Sequence, residues 1–199
     1  MCTSIRKTLT TCAAGVAATL ALSAGAMAEE KPVSSDSLVA QAHSIVGQFS
    51  EKLKSQLVGA MKAEGPVKAI EVCKVAAPAI AGEVSTEGWS VGRTSLKLRN
   101  AKSKPDDWEK QTLELFEAEK AKGADVTKLE RSEIADVNGV RTFRYMKAIP
   151  TAEPCLTCHG SEVKEPVKAK LAELYPNDRA TGFKLGDIRG AFTLSKPVP

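Results

Sequence analysis

Long apolar runs are the first thing this sequence lacks. No stretch reaches the ~20 apolar residues of a bilayer-spanning helix, which excludes a membrane span. The nearest is Thr11 to Ala26, uncharged and rich in Ala and Leu, preceded by Arg6 and Lys7 and followed by the small-x-small run Ala26-Met27-Ala28. That is the layout of a cleaved secretion signal, so residues 1–28 are expected to leave and residues 29–199 to form one periplasmic domain. A charge excess is also missing. Removing Arg6 and Lys7 from 28 basic residues leaves 26 against 24 acidic ones, a net of +2. Nucleic-acid binding, which needs a concentrated basic face, is excluded on that balance. Aromatics are scarce at 5%, so a bulky group other than side chains, or an Ala-rich helical core, must fill part of the interior. Histidines number two, His43 and His159. No catalytic constellation is present, and the chain is expected not to be an enzyme. Cys2 and Cys12 fall in the leader, which leaves Cys73, Cys155 and Cys158. Three is an odd number for an exported protein, which normally pairs or shields its thiols.

What is present suggests helices followed by strands. Leu38, Ala42, Ile45, Phe49, Leu53, Leu57 and Met61 recur at helical steps over 36–64, and Gly65-Pro66 ends the run. Pro66 suits the first turn of a second helix. There Ile70, Cys73, Ala77, Ile80 and Val84 share one stripe, with Cys73 at its buried centre, and Pro78 predicts a kink beside it. Residues 88–105, rich in Gly and cations, read as a connection. A third helix follows from about Asp106, capped by Ser103, with Trp108, Leu115 and Phe116 inward. Asn138-Gly139 between Val137 and Val140 predicts a two-residue hairpin. That register faces Asp136 with Arg141, Glu133 with Arg144, Glu130 with Lys147, and Ile134 with Phe143. A short helix over 166–175 and a strand over 188–194 complete an α+β pattern, long N-terminal helices on a small antiparallel sheet.

Cys155-Leu156-Thr157-Cys158-His159 is a C-x-x-C-H run, the attachment signature of c-type haem. Two thiols at this spacing reach the two vinyl groups on one porphyrin edge, and the next residue presents its imidazole to the iron. Export agrees, since such haem is attached outside the cytoplasm. A Cys₃His zinc set with Cys73 is the main rival, but adjacent Cys158 and His159 converge poorly on one small ion. A redox dithiol would want the C-x-x-C to open a helix in a parallel-sheet context, and a disulfide would explain neither Cys73 nor His159. Haem is the favoured reading. The opposite axial position has four candidates: Cys73, His43, Met61 and Met146. Cys73, the remaining thiol, leads, although a small buried core cysteine is the commoner case. Arg93 and Arg99 follow the Cys73 helix and could meet haem propionates, arginine's planar fork suiting carboxylates, or could be ordinary solvated charge.

Several separated segments carry a resemblance: Glu71-Val72-Cys73, Ala76 to Ala81, Val91 to Asn100, Pro105 to Glu109, Cys155 to Gly160, Tyr175 to Asp178 and Gly186 to Gly190. Together they resemble a family of exported haem-c domains with a PAS-like fold, long catalogued as a domain of unknown function. Its members occur as sensory input domains of bacterial signalling proteins and as free-standing exported proteins. The resemblance implies one covalent haem c on Cys155 and Cys158, with His159 and Cys73 as axial iron ligands. It further implies a redox or gas-responsive sensor module, responding to a diatomic gas or to an unknown redox or signalling protein. A periplasmic electron-transfer cytochrome c is the alternative.

Overall fold

The first helix starts where its capping chemistry lies. In a computed structural model, which describes Met1 and residues 34–199, the Ser37 amide donates to the Ser34 hydroxyl at 3.2 Å and α1 runs Ser35–Ala63. The leader expected over 1–28 lies outside the described residues. Leu38, Ala42, Val46 and Phe49 are the buried positions of α1, with Ile45 and Leu53 packed partly against the same core. Helix α2 (Gly65–Val84) carries Pro66 in its first turn, as expected, and stays helical through Pro78. No described helix is long and apolar enough to cross a membrane.

Residues 88–105 are more than a connection. They contain strand β1 (Ser90–Thr94), which pairs antiparallel with the last strand, β4 (Ile188–Pro197), from Ser90↔Ser195 to Thr94↔Ala191. Gly92 and Arg93 obscure its alternation in the sequence. Val91 and Thr94 are nonetheless buried, and pairing with β4, not local propensity, makes the strand. Helix α3 (Asp107–Ala121) is capped by Asp106, three residues beyond Ser103. The Glu109 amide donates to Asp106 at 2.9 Å and the Asp106 amide to Glu109 at 3.0 Å, a reciprocal capping box. The buried face of α3 is Thr112, Leu113 and Phe116. Leu115 points outward, because two residues advance a helix by about 200° and Leu113 holds the inward side.

Strands β2 (Glu130–Val137) and β3 (Val140–Pro150) form the expected hairpin, and all four expected pairs are in register. Asn138 and Gly139 take φ of 53° and 83°, the positive values a two-residue turn demands. Of the three charge pairs only Glu130–Lys147 closes, at 3.0 Å. Arg144 turns to Asp106, Glu133 to Arg131, and Arg141 donates to the Pro199 carbonyl.

The sheet order is β1-β4-β3-β2. One face packs Phe143, Tyr145, Phe192 and Leu194 against Leu38, Phe49 and Ile80 of α1 and α2. The other packs Met146, Ala148, Ile188 and Ala191 against Leu113 and Phe116 of α3. A smaller third cluster joins Ile70 of α2 to Val163 and to Val167 and Leu171 of α5 (Glu165–Leu174). With the single turn α4 (Leu156–His159), five described helices pack on a four-stranded antiparallel sheet, the expected α+β fold.

Candidate functional site

The C-x-x-C-H run sits where β3 ends, β4 begins and β1 ends, at one end of the sheet. Thr151 donates its amide to the Asp187 carbonyl at 2.7 Å and accepts the Gly186 amide at 2.9 Å, anchoring the exit from β3. A 3-10 turn, Glu153–Cys155, then leads into α4. Gly160 closes α4 by donating to the Leu156 carbonyl at 2.9 Å. A Cβ at Gly160 would stand 2.6 Å from that carbonyl, so glycine is required there. The Gly182 and Phe183 amides donate to the Gly160 and His159 carbonyls, each at 3.0 Å. The run is thus held from both sides, with Cys155, Cys158 and His159 half-buried.

The tautomer of His159 follows from its neighbours. Its Nδ1 lies 2.7 Å from the Ala180 carbonyl. A carbonyl can only accept, so Nδ1 carries the proton and Nε2 keeps its lone pair. Arg99 Nη1 stands 3.3 Å from that Nε2, and Arg189 Nε is 3.1 and 3.4 Å from the two ring nitrogens. Burial, then the Arg189 and Arg99 charges, push the imidazole pKa down to about 2, so the ring is neutral. A neutral imidazole with one nitrogen tied to a carbonyl is the form in which histidine ligates a metal through the other.

Arg99 is not solvated charge. Its Nε and Nη2 meet Asp178 Oδ2 at 3.1 and 3.0 Å, and Nη2 also donates to the Cys158 and Ala180 carbonyls at 2.6 and 3.3 Å. The Arg99 and Asp178 side chains are only 12% and 10% exposed. Arg93, on β1, holds its guanidinium 5.5 Å from the Phe49 ring. A third cation, Arg189 of β4, was missed in the sequence. It donates to Ser95 Oγ at 3.2 Å, and burial, with the Arg99 and Arg93 charges, lowers its pKa to about 10. Gly190 beside it, with φ of 154°, lets β4 pass Thr94 and Ser95 where a Cβ would overlap the Thr94 carbonyl, an approach that only the fold reveals.

Cys73 is half-buried and not at the sealed centre of its stripe. One turn before it, Ile70 packs in the cluster that also holds Cys158. Burial raises the Cys73 pKa, while the Arg93 and Arg99 charges oppose. Burial likewise raises that of Cys158, with Cys73 and Cys155 adding to the rise, so Cys158 lies within the fields of both other thiols. All three are free. Among the described residues no three His, Cys, Asp or Glu side chains converge as a bare metal ion requires, so the Cys₃His zinc set is not assembled. His43 is turned to Glu130 at 2.8 Å and lies edge-to-face on Tyr145. Met146 is fully buried between sheet and α3, and Met61 is half-buried near the end of α1. Of the four axial candidates, Cys73 is the one that shares Arg93 and Arg99 with His159.

No curated protein matches the chain. Its fold matches the crystal structure of the cyanobacterial haem protein Tll0287 with a TM-score of 0.62 and 23% identity, covering 82% of this chain and 97% of that one. At that identity the likeness speaks for the fold. The family described as Tll0287-like matches residues 25–197, a span that includes every site residue from Cys73 to Arg189. The chain therefore belongs to the Tll0287-like family.

Proposed function

We propose that the chain is an exported, periplasmic c-type haem protein that serves as a redox- or gas-responsive sensor module. Cys155 and Cys158 would hold one haem covalently, and His159 Nε2 and Cys73 Sγ would ligate its iron. The observation that carries this reading is the neutral, carbonyl-tethered His159 inside a C-x-x-C-H turn. Around it stand three guanidinium groups, Arg93, Arg99 and Arg189, and Asp178 is the carboxylate that pairs with Arg99 and offsets Arg189. Such a cationic excess suits a prosthetic group with two carboxylates, which is what haem propionates are. The structurally similar Tll0287 is described as a haem protein.

When bound, haem supplies a one-electron ferric/ferrous couple and an iron that accepts axial ligands. The Ala180 carbonyl orients His159, and Arg99, held by Asp178 and the Cys158 carbonyl, would yield Nε2 to the iron. Arg93 and Arg99 favour the thiolate of Cys73 and burial favours its thiol. Burial is the stronger of the two, so a Cys73 without a metal partner is a thiol. A Cys73 released from iron on reduction would take its proton from solvent and leave a position for a diatomic gas, and α2, which carries Cys73, would transmit the change to a partner protein. This reading includes no catalytic turnover. A periplasmic electron-transfer cytochrome c is the second reading, favoured by Lys97 over the ring of Phe183, the aromatic wall of His159.

Acid–acetone extraction should leave the colour on the polypeptide, with a mass gain of one haem. Cys73→Ser should keep that attachment, alter the ferric spectrum and raise a potential that thiolate ligation holds low. A purified chain without haem defeats the reading; an unchanged low-spin spectrum in Cys73→Ser defeats the Cys73 ligand. Carbon monoxide binding to the reduced protein supports the sensor. A reduced form that stays six-coordinate supports the carrier.

A further inference from the structure

We propose that the surface outside Phe183 is the docking face for an acidic one-electron carrier protein, an inference that rests on the haem reading. Phe183 is buried and stands edge-to-face to His159, with ring centroids 6.2 Å apart and planes at 87°. Beyond that ring lies a cleft of about 300 Å³, lined by Phe183, Leu96, Lys97, Lys120, Glu117 and Asp187 among others. Two exposed leucines sit on the segments that line this cleft. Leu96 lines the cleft and is 42% exposed. Leu185, 68% exposed, lies in the loop between Phe183 and Asp187. Large apolar side chains this exposed are few among the described residues, and two of them on the segments that line one cleft supply the apolar centre of a small contact patch.

The charge around that centre names the partner. Lys97 Nζ lies 5.0 Å from the Phe183 ring centroid and Arg189 Cζ 5.4 Å. Exposed Lys184 stands next to both Phe183 and Leu185. Asp187 is neutralised by Lys120 at 2.5 Å, which leaves Glu117 as the remaining acid of the cleft. An apolar centre with a cationic border fits a protein that presents carboxylates. A patch of this modest extent fits the brief encounters of electron-transfer pairs. Phe183 places His159 directly behind the contact. One electron leaves the carrier's reduced centre and the ferric haem iron becomes ferrous; no bond is made or broken at the face and no proton moves there.

The test uses the haem-loaded protein and an acidic plant-type [2Fe–2S] ferredoxin as probe. Calorimetry measures binding of the oxidised ferredoxin, and stopped-flow absorbance measures haem reduction by its reduced form. Lys97→Glu with Lys184→Glu should weaken binding and slow reduction about tenfold at low ionic strength, since steering by surface charge has this order of effect. The difference should close at 1 M salt, where the Debye length is about 3 Å. Leu185→Ser should weaken binding at every salt concentration. Lys54→Glu on α1, across the sheet from the cleft, should match the parent. Equal effects of Lys54→Glu and the double variant overturn the proposal. So do rates that ignore salt, and self-association of the holoprotein that the double variant abolishes. A chain that carries no haem fails in its spectrum before any mixing, and that failure belongs to the haem reading. A haem-loaded chain whose binding ignores both lysines fails the docking face alone.

Discussion

Asp178 anchors the charge arrangement of the site. Arg99 gives it two bonds, and both side chains are nearly sealed from water, so screening by solvent is weak. The fork also reaches the Cys158 and Ala180 carbonyls, which ties the C-x-x-C-H turn to the segment that orients His159. Removing one partner of a buried pair strands the other charge, at a cost of about 3–5 kcal/mol. Asp178→Ala should therefore lower stability by that amount in denaturant unfolding. It should also loosen His159, because Asp178 accepts the Ala180 amide at 2.8 Å as well. A loss below about 1 kcal/mol would mean that Arg99 reaches water instead, and would contradict the role given to the pair.

Elements are joined by a second polar hub on the far side of the sheet. Glu130 Oε2 on β2 accepts from Tyr145 at 2.8 Å and from Lys147 at 3.0 Å, and meets His43 of α1 at 2.8 Å. Burial opposes ionisation of Glu130, but the bonds from Lys147, Tyr145 and His43 outweigh it and hold the carboxyl below its ordinary value. A depressed carboxylate contributes stability that is present above its unfolded pKa of about 4.3 and is lost as pH falls through the folded value. Glu130→Gln should flatten the fall in urea midpoint below about pH 4.3; parallel profiles for parent and variant would refute the hub. The same hairpin marks how much was legible in the sequence. Its register was readable because a two-residue Asn-Gly turn leaves a single pairing. Which charges then closed was not, since Arg144 found Asp106 on another element. Strand β1 stayed hidden because Gly92 and Arg93 break its alternation. In the site, Cys155, Cys158 and His159 were legible as one local run. Arg189 was not, because a lone arginine in a strand carries no spacing and only the fold brings it to the ring.

At the scale of the whole molecule, the site and the core are separable. Two apolar layers flank the sheet and contain none of Cys73, Cys155, Cys158 or His159. The site is bound to them through the third, smaller cluster of Ile70, Val163, Val167 and Leu171, with Cys158 at its margin. Small clusters supply little local stability, and segments that depend on them open before the core does. In that region Arg99 and Arg93 add to the electrostatic cost of buried Arg189, and Asp178 offsets it only in part. Covalent attachment at Cys155 and Cys158 would close this segment on itself and add two carboxylates to the cationic side. A Cys155→Ala/Cys158→Ala variant should therefore keep its fold while losing local order. Hydrogen exchange should stay slow in β3 and β4 and rise by tenfold or more in α4, α5 and the 178–183 segment, because each ~1.4 kcal/mol of lost protection is a factor of ten. Uniformly faster exchange across the sheet would mean that haem attachment holds the whole core together, and that the sheet layers do not fold independently of the site.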